Sequence, residues 1–361
     1  MWKDPSLLII SVARSAAMQN GLHRPETMQD FQRVKTQLAP EEFHAAVKLW
    51  AGCYIAAQSV TTSAGQPSLS SNDWTIDRAC EPGNNYTVPD NLRYHLLIQR
   101  FLARVDEAMS KRTCSPTGHP VQRESDGLMR LLECDLEDLE RWIGKEAGEA
   151  HHIALAMVSM QLRSYYFFES SATEMRKQGL LRAYSAALNF ISKIANEDAK
   201  NDFIKYVPNI YYQILNTAGM LVMKIINSSY ARYVDIEEGK RSFNIVLSLL
   251  RRAILEDNDL RGRGGKILAQ LWIIHHSRTI RRGQEPNLKV QSRLGASVLH
   301  DGLWAWREEF GGQTSPASRP SDSFSSLTPS LLPTSPAQSI QQRPPAASEF
   351  AILFSPAWIR C

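Results

Sequence analysis

Leu128-Met129-Arg130-Leu131-Leu132-Glu133-Cys134-Asp135-Leu136-Glu137-Asp138-Leu139-Glu140-Arg141-Trp142-Ile143 is the stretch on which the fold class turns. Leu128, Leu132, Leu136, Leu139 and Ile143 recur at steps of three and four. Arg130, Glu133, Asp135, Glu137, Asp138, Glu140 and Arg141 fill the positions between them. With 3.6 residues per turn, that spacing puts the apolar side chains on one face and the charges on the other. A strand would alternate every second residue, and this segment does not. The carboxylates Asp135, Glu137, Asp138 and Glu140 read as a solvated helix face rather than as paired acid–base groups.

The same period continues outward in both directions. Ile153 to Phe168 is apolar on most sides and predicts a central buried helix. Its Met157, Met160, Tyr165, Tyr166, Phe167 and Phe168 are core formers by default. Leu180 to Ala195, Phe203 to Ile226, Phe243 to Leu255, Ile267 to His276 and Leu294 to Phe310 repeat the pattern. Pro208 predicts a helix start or a kink, because proline lacks an N–H and clashes with the preceding turn. Toward the N-terminus, Leu7, Leu8, Ile10 and Ala13 predict an apolar face on a helix closed by Gly21. Phe43, Val47, Trp50 and Tyr54 predict a second helix, with Trp50 and Tyr54 packed on the first and Gly52 permitting close approach. Hairpin signals are weak, so the expected fold is all-α. Loops are expected at Ser63–Asn91, at Ser110–Gly127 and at the glycine run Arg261–Gly265.

Composition adds boundaries. The 361 residues are 43% hydrophobic and 22% charged, with a formal net charge of +4. That is ordinary for a globular protein, and the modest positive surplus does not mark a dedicated nucleic-acid binder. From Arg251 to Arg293 there are ten Lys/Arg against four Asp/Glu, which helix-end placement and surface solvation explain. From Thr314 to Ser348 the chain turns to Ser, Pro, Gln, Ala and Thr, too poor in apolar area to offset ordering entropy. The expected organisation is therefore a multi-helix domain over 1–310 and a disordered low-complexity tail over 311–361. The apolar end Glu349–Cys361 reads either as a short partner-binding motif or as a non-native ending.

Known chemistries find little purchase. Cys53, Cys80, Cys114, Cys134 and Cys361 are scattered, with no CxxC pair or other metal-type spacing. Reduced thiols of a nuclear or cytosolic protein are the simplest reading. Arg261-Gly262-Arg263-Gly264-Gly265-Lys266-Ile267 resembles a phosphate loop superficially. Leu260 stands where that loop needs glycine, and Ile267 where it needs Ser or Thr. His151-His152 and His275-His276 lack the one-turn spacing of a metal pair. A terpene-synthase-like metal motif has its nearest approach in Asp135-Leu136-Glu137-Asp138, on the wrong helix face. No run is long and apolar enough for a membrane span; Ile214–Ile226 is too short and carries Asn216 and Lys224.

Two neighbouring stretches carry a family resemblance. Gly21-Leu22-His23-Arg24-Pro25 is one; Trp50-Ala51-Gly52-Cys53-Tyr54, continuing through Gln58 and Ser59 to Gly65-Gln66-Pro67, is the other. Together they resemble the regulatory middle region of fungal zinc-cluster transcription factors, and Leu92–Phe310 is similar to the later part of leucine-biosynthesis-type regulators. Gln66 departs from the usual Arg, and the common Asp after the Cys helix is absent. The resemblance implies an all-helical regulatory region in the nucleus that catalyses nothing. Its family-motif residues are Gly21, Leu22, His23, Arg24, Trp50, Cys53, Gly65 and Pro67, with structural roles. It implies as partners the transcription machinery or co-regulator proteins, allows a small-molecule effector and a homodimer, and excludes a membrane. The family's six-cysteine, two-zinc unit does not occur in this sequence, so no cofactor is expected in it and DNA would be reached only through an N-terminal domain outside it. A truncated gene model, a fragment and a regulator without a DNA-binding domain all fit. A helical small-molecule-binding or enzymatic domain and a pure interaction scaffold are the rival readings.

Overall fold

A computed structural model describes residues 5–310 apart from 34–37, 70–72, 84, 87, 114–121, 145–146, 169–172, 255–258, 284, 289 and 291–293. The expected tail, with Cys361, and Cys114 lie outside the described residues. The described chain is helical, with no strand among the described residues. The helices are α1 (Ser6–Gln19), α2 (Pro40–Ala64), α3 (Trp74–Cys80), α4 (Asp90–Thr113), α5 (Gln122–Ile143), α6 (Glu149–Ser164), α7 (Glu174–Asn201), α8 (Phe203–Tyr206), α9 (Asn209–Ile226), α10 (Ile236–Arg252), α11 (Leu260–Arg282) and α12 (Ser297–Phe310). Short 3₁₀ turns at Pro25–Phe31, Tyr165–Phe168, Ser229–Tyr233 and Leu294–Ala296 join or extend them.

Helices one or two places apart in sequence pack together: α1 on α2, α4 on α6, α6 on α7, α7 on α9, and α10 on α9 and α11. The centre of the bundle is α9. Of its residues only Asn209 and Gln213 escape full burial, which fits a helix apolar all round. Pro208 caps its start, where the missing N–H costs nothing, and separates it from the short α8. The helix α6 and the turn Tyr165–Phe168 are likewise almost wholly buried. The deciding stretch lies in α5, with Leu132, Leu136 and Ile143 in the core and Glu137 and Asp138 exposed.

Five details differ from the sequence reading. The glycine run Arg261–Gly265 is not a turn; it is the first part of α11. Asp259 accepts from the Gly262 N–H at 2.6 Å and caps the helix. A Cβ on Gly264 would lie 2.9 Å from Asn216 Nδ2, and one on Gly219 would lie 2.6 Å from Leu268. The glycines thus let α9 and α11 cross closely, and that packing outweighs a helix penalty of roughly 1 kcal/mol per glycine. The segment Ser63–Asn91 contains α3, because Asp73 accepts from the Ile76 N–H at 3.0 Å and nucleates a turn there. Helices α4 and α5 extend into Ser110–Gly127 from both sides, and 114–121 lies outside the described residues. Leu8 is 69% exposed, because α1 turns Leu7, Ile10, Arg14 and Ala17 inward and leaves Leu8 and Val12 on another face. Gly52 meets nothing that a Cβ would touch, so it is not the point of close approach.

Candidate functional site

Three constellations of chemistry-bearing side chains stand out. The first gathers the family-motif residues around α1–α3. Helix α1 ends at Gly21, whose φ of +75° is left-handed. The Leu22 N–H reaches back to the Ala17 carbonyl at 3.0 Å and the Gly21 N–H to Met18 at 2.9 Å. Helix α2 ends identically at Gly65, φ +60°, with Gln66 bonded to Thr61 at 2.9 Å and Gly65 to Thr62 at 3.1 Å. Both motif glycines therefore close a helix with the same paired hydrogen bonds, a conformation that L side chains resist. Pro67 follows in an exposed position, where the helix has already stopped.

Trp50 lies on the inner face of α2 and is 1% exposed. Its Nε1–H donates to Asp73 Oδ2 at 2.8 Å, so one carboxylate both receives the indole and caps α3. The Arg14 guanidinium lies over the Trp50 ring at 5.1 Å, and the His23 ring sits 5.9 Å from it. The His23 carbonyl accepts from Thr75 Oγ1 at 2.7 Å, tying the turn after α1 to α3. Burial, followed by the neighbouring Arg24, holds the His23 imidazole below its ordinary range. Arg24 itself is exposed. Cys53 is half-buried on α2, and burial pushes its thiol up. Together the motif residues brace three helices, and of them only Pro67 lines a cavity, the cleft it shares with Trp74, Asp77 and Arg100.

The second constellation is a buried polar network between α2, α4 and the turn after α6. Asp106 is 3% exposed and accepts from Gln58 Nε2 at 3.0 Å, Thr62 Oγ1 at 3.0 Å and Tyr165 Oη at 3.2 Å. Burial pushes its carboxyl up to about 6, opposed by these three donors. The network fixes the α2–α4 register and is closed to solvent.

The third is a pocket of about 380 Å³ between α9, α11 and α12, within the usual size range for small-molecule sites. Met220, Met223 and Leu271 give it apolar walls; Lys224, His275, Asp301 and Glu308 give it charge and polarity. Gly302 of α12 sits against Met220, its Cβ position 2.8 Å from Sδ, which brings α12 down onto α9. Lys224 is 7% exposed. Its Nζ donates to the Asn287 carbonyl at 2.6 Å, and among the described residues it has no other hydrogen-bond or ion-pair partner. Burial draws the ammonium down to about 8, against the pull of Asp301. Burial and Lys224 together hold His275 at about 4, so the imidazole is neutral at pH 7. A mostly charged lysine thus stands on the wall of this pocket beside two carboxylates, Asp301 and Glu308.

Sequence reasoning did not single out Lys224 as a site; it entered there as one of two polar residues interrupting an apolar run. Its signal was available, since a lysine within a helix apolar on all sides must be buried. The two histidine pairs separate: His151 packs on His95 at 4.6 Å in the core, while His275 faces the pocket. No group of three or more His, Cys, Asp or Glu among the described residues is arranged to hold a metal ion.

Comparison with known proteins finds relatives among yeast regulatory proteins. The chain is 23% identical over 349 residues to Regulatory protein LEU3 of Saccharomyces cerevisiae, an alignment covering 85% of this chain and 39% of that protein. This chain is a homologue of yeast transcription regulators. It is also 23% identical to SEF1 of Kluyveromyces lactis over 87% of the chain and 28% of that protein, and to SEF1 of Eremothecium gossypii over 70% and 24%. Both SEF1 proteins are assigned by name as transcription factors. The chain thus spans between about a quarter and two-fifths of the length of these relatives. No protein-family profile and no solved structure matches it. These relatives agree with the resemblance carried by Gly21–Arg24 and Trp50–Tyr54, and none of them is named as an enzyme. No described helix is long and apolar enough to cross a membrane.

Proposed function

We propose that this chain is the regulatory region of a nuclear fungal transcription regulator, and that a small molecule entering the α9–α11–α12 pocket sets its activity. The observation that carries the reading is Lys224: a buried lysine costs stability, and it stands on the wall of a ligand-sized pocket inside a body that aligns with a protein named as regulatory. The motif residues around Trp50 serve the bundle, and the region acts on co-regulator proteins or the transcription machinery. Sequence-specific DNA contact belongs to a separate domain, since this sequence holds no cysteine cluster.

The test is a fusion of residues 1–361 to a heterologous DNA-binding domain, read by a reporter in yeast grown on rich and on minimal medium. Reporter output that changes severalfold with nutrient supply supports the reading. Output identical across media, from a fusion shown to be folded and nuclear, defeats it. The isolated chain should bind DNA weakly and with steep salt dependence, and nanomolar site-selective binding would overturn the separation of roles.

A further inference from the structure

Of the described residues lining the α9–α11–α12 pocket, Lys224 alone carries a primary amine. It leaves a helix buried nearly all round and is itself 7% exposed, so a reagent reaches its nitrogen through the pocket. The hydrogen bond to the Asn287 carbonyl, 2.6 Å long, fixes where that nitrogen stands. With burial drawing the ammonium down to about 8, the neutral amine at pH 7 is roughly a few hundredfold more populated than on an ordinary lysine. A desolvated lysine in an apolar pocket is the amine that condenses most readily with a carbonyl group. The other walls select the carbonyl compound. Asp301 and Glu308 place carboxylates there, and His275 contributes a neutral ring. A ligand with a carboxylate of its own would bring a third negative charge to that wall. Met220, Met223 and Leu271 accept an apolar chain, and the two methionines adapt to different shapes.

We propose that Lys224 takes up a small uncharged aldehyde as a reversible Schiff base, with the aldehyde's apolar chain among Met220, Met223 and Leu271. This deepens the effector reading above and rests on it for its regulatory meaning. The ammonium first sheds a proton, and the neutral amine attacks the carbonyl carbon. A C–N bond forms, and the nitrogen passes a proton to the oxygen. The proton first shed returns to that hydroxyl, which leaves as water while the nitrogen lone pair closes the C=N bond. In sum, ammonium plus aldehyde gives protonated imine plus one water, with no oxidant or reductant consumed. The pocket's carboxylates are the groups that can carry the proton between nitrogen and oxygen. The protonated imine keeps a positive charge under the pull of Asp301 and one N–H for the Asn287 carbonyl. Acylation would remove that charge from a wall holding two carboxylates, which is why the structure favours an aldehyde over an acyl donor.

The test incubates the full chain at pH 7 with butanal, reduces it with cyanoborohydride, and maps the fixed adducts by peptide mass spectrometry. At a dose that fixes about one adduct per chain, the Lys224 peptide should carry at least about tenfold more label than the average of the other lysines. Succinic semialdehyde, the same chain ending in a carboxylate, should label Lys224 at least about tenfold less than butanal does. Lys224→Met should lose the first adduct from the intact-mass spectrum while the protein stays folded, because the change removes a buried charge. Without reductant, butanal should raise the melting temperature of the wild type and not of Lys224→Met. Label spread evenly over the lysines, equal labelling of Lys224 by succinic semialdehyde, or a first adduct that persists in Lys224→Met would overturn the assignment. A nutrient-responsive reporter without selective Lys224 labelling breaks this ligand class and leaves the regulatory reading standing. Selective labelling without any reporter response does the reverse.

Discussion

The α1–α3 hub and the α9–α11–α12 region solve opposite problems. The hub has a small core, centred on Val47, Trp50, Tyr54, Ile76 and Leu96, and is tied together by directional contacts: two left-handed glycine closures, the Trp50–Asp73 bond and the Thr75–His23 bond. The α9 region belongs to the large apolar core and packs by close approach of helices at Gly219, Gly264 and Gly302. Yet it is the second region that keeps a buried lysine, its ammonium held by the Asn287 carbonyl on the wall of a pocket. A large core tolerates one costly charge, and a protein retains such a charge where something other than stability depends on it.

The contrast is most easily broken at Trp50. Trp50→Ala should cost about 3–5 kcal/mol, through lost burial, an unfilled cavity and an orphaned Asp73. Denaturant unfolding measures it. A midpoint that does not move would mean the hub is not part of the cooperative unit.

Lys224→Met should act in the opposite direction. Because the folded protein holds the Lys224 ammonium at about 8, below its unfolded range, its stabilising contribution is present above about pH 10.5 and is lost as pH falls through 8. The variant should therefore exceed the wild type by about 1–3 kcal/mol at pH 7, with the gap closing above about pH 10. Equal stability at pH 7 would show that Lys224 is already satisfied.

Asp106 offers the pH test on the other side of neutrality. Its folded value of about 6 lies above the unfolded one, so its contribution is fully present below about pH 4 and is lost as pH rises through 6. Wild-type stability should fall by roughly 2–3 kcal/mol across that window relative to Asp106→Asn, which does not titrate there. Parallel pH profiles for the two proteins would contradict the burial of this carboxylate.

Smaller effects sharpen the hub. Gly179→Ala, outside it, should cost about 1–3 kcal/mol by overpacking, since its Cβ would fall 2.2 Å from Tyr166 Cδ1. Thr75→Val removes one hydrogen bond to the His23 carbonyl and should cost about 0.5–1.5 kcal/mol. Thermal unfolding at constant pH ranks the two, and a reversed order would place more of the hub's stability in its polar ties than its packing indicates.

Local order alone settled much of this molecule. The three-and-four spacing through Leu128–Ile143 makes α5, the apolar run at Ile153 makes α6, Pro208 starts α9, and Gly21 and Gly65 end α1 and α2. Each of these depends on neighbours within about one or two helical turns, although Pro208 by itself allowed a kink as well as a start. The glycine run at 261–265 reads as a turn by the same local rules and is helical, because the partners that make it so, Asn216 and Leu250, sit on other helices. Lys224, His275 and Asp301 are likewise unremarkable one by one. They meet because Gly219, Gly264 and Gly302 let α11 and α12 settle onto α9, and the pocket, with the charge on its wall, exists only once those helices have packed.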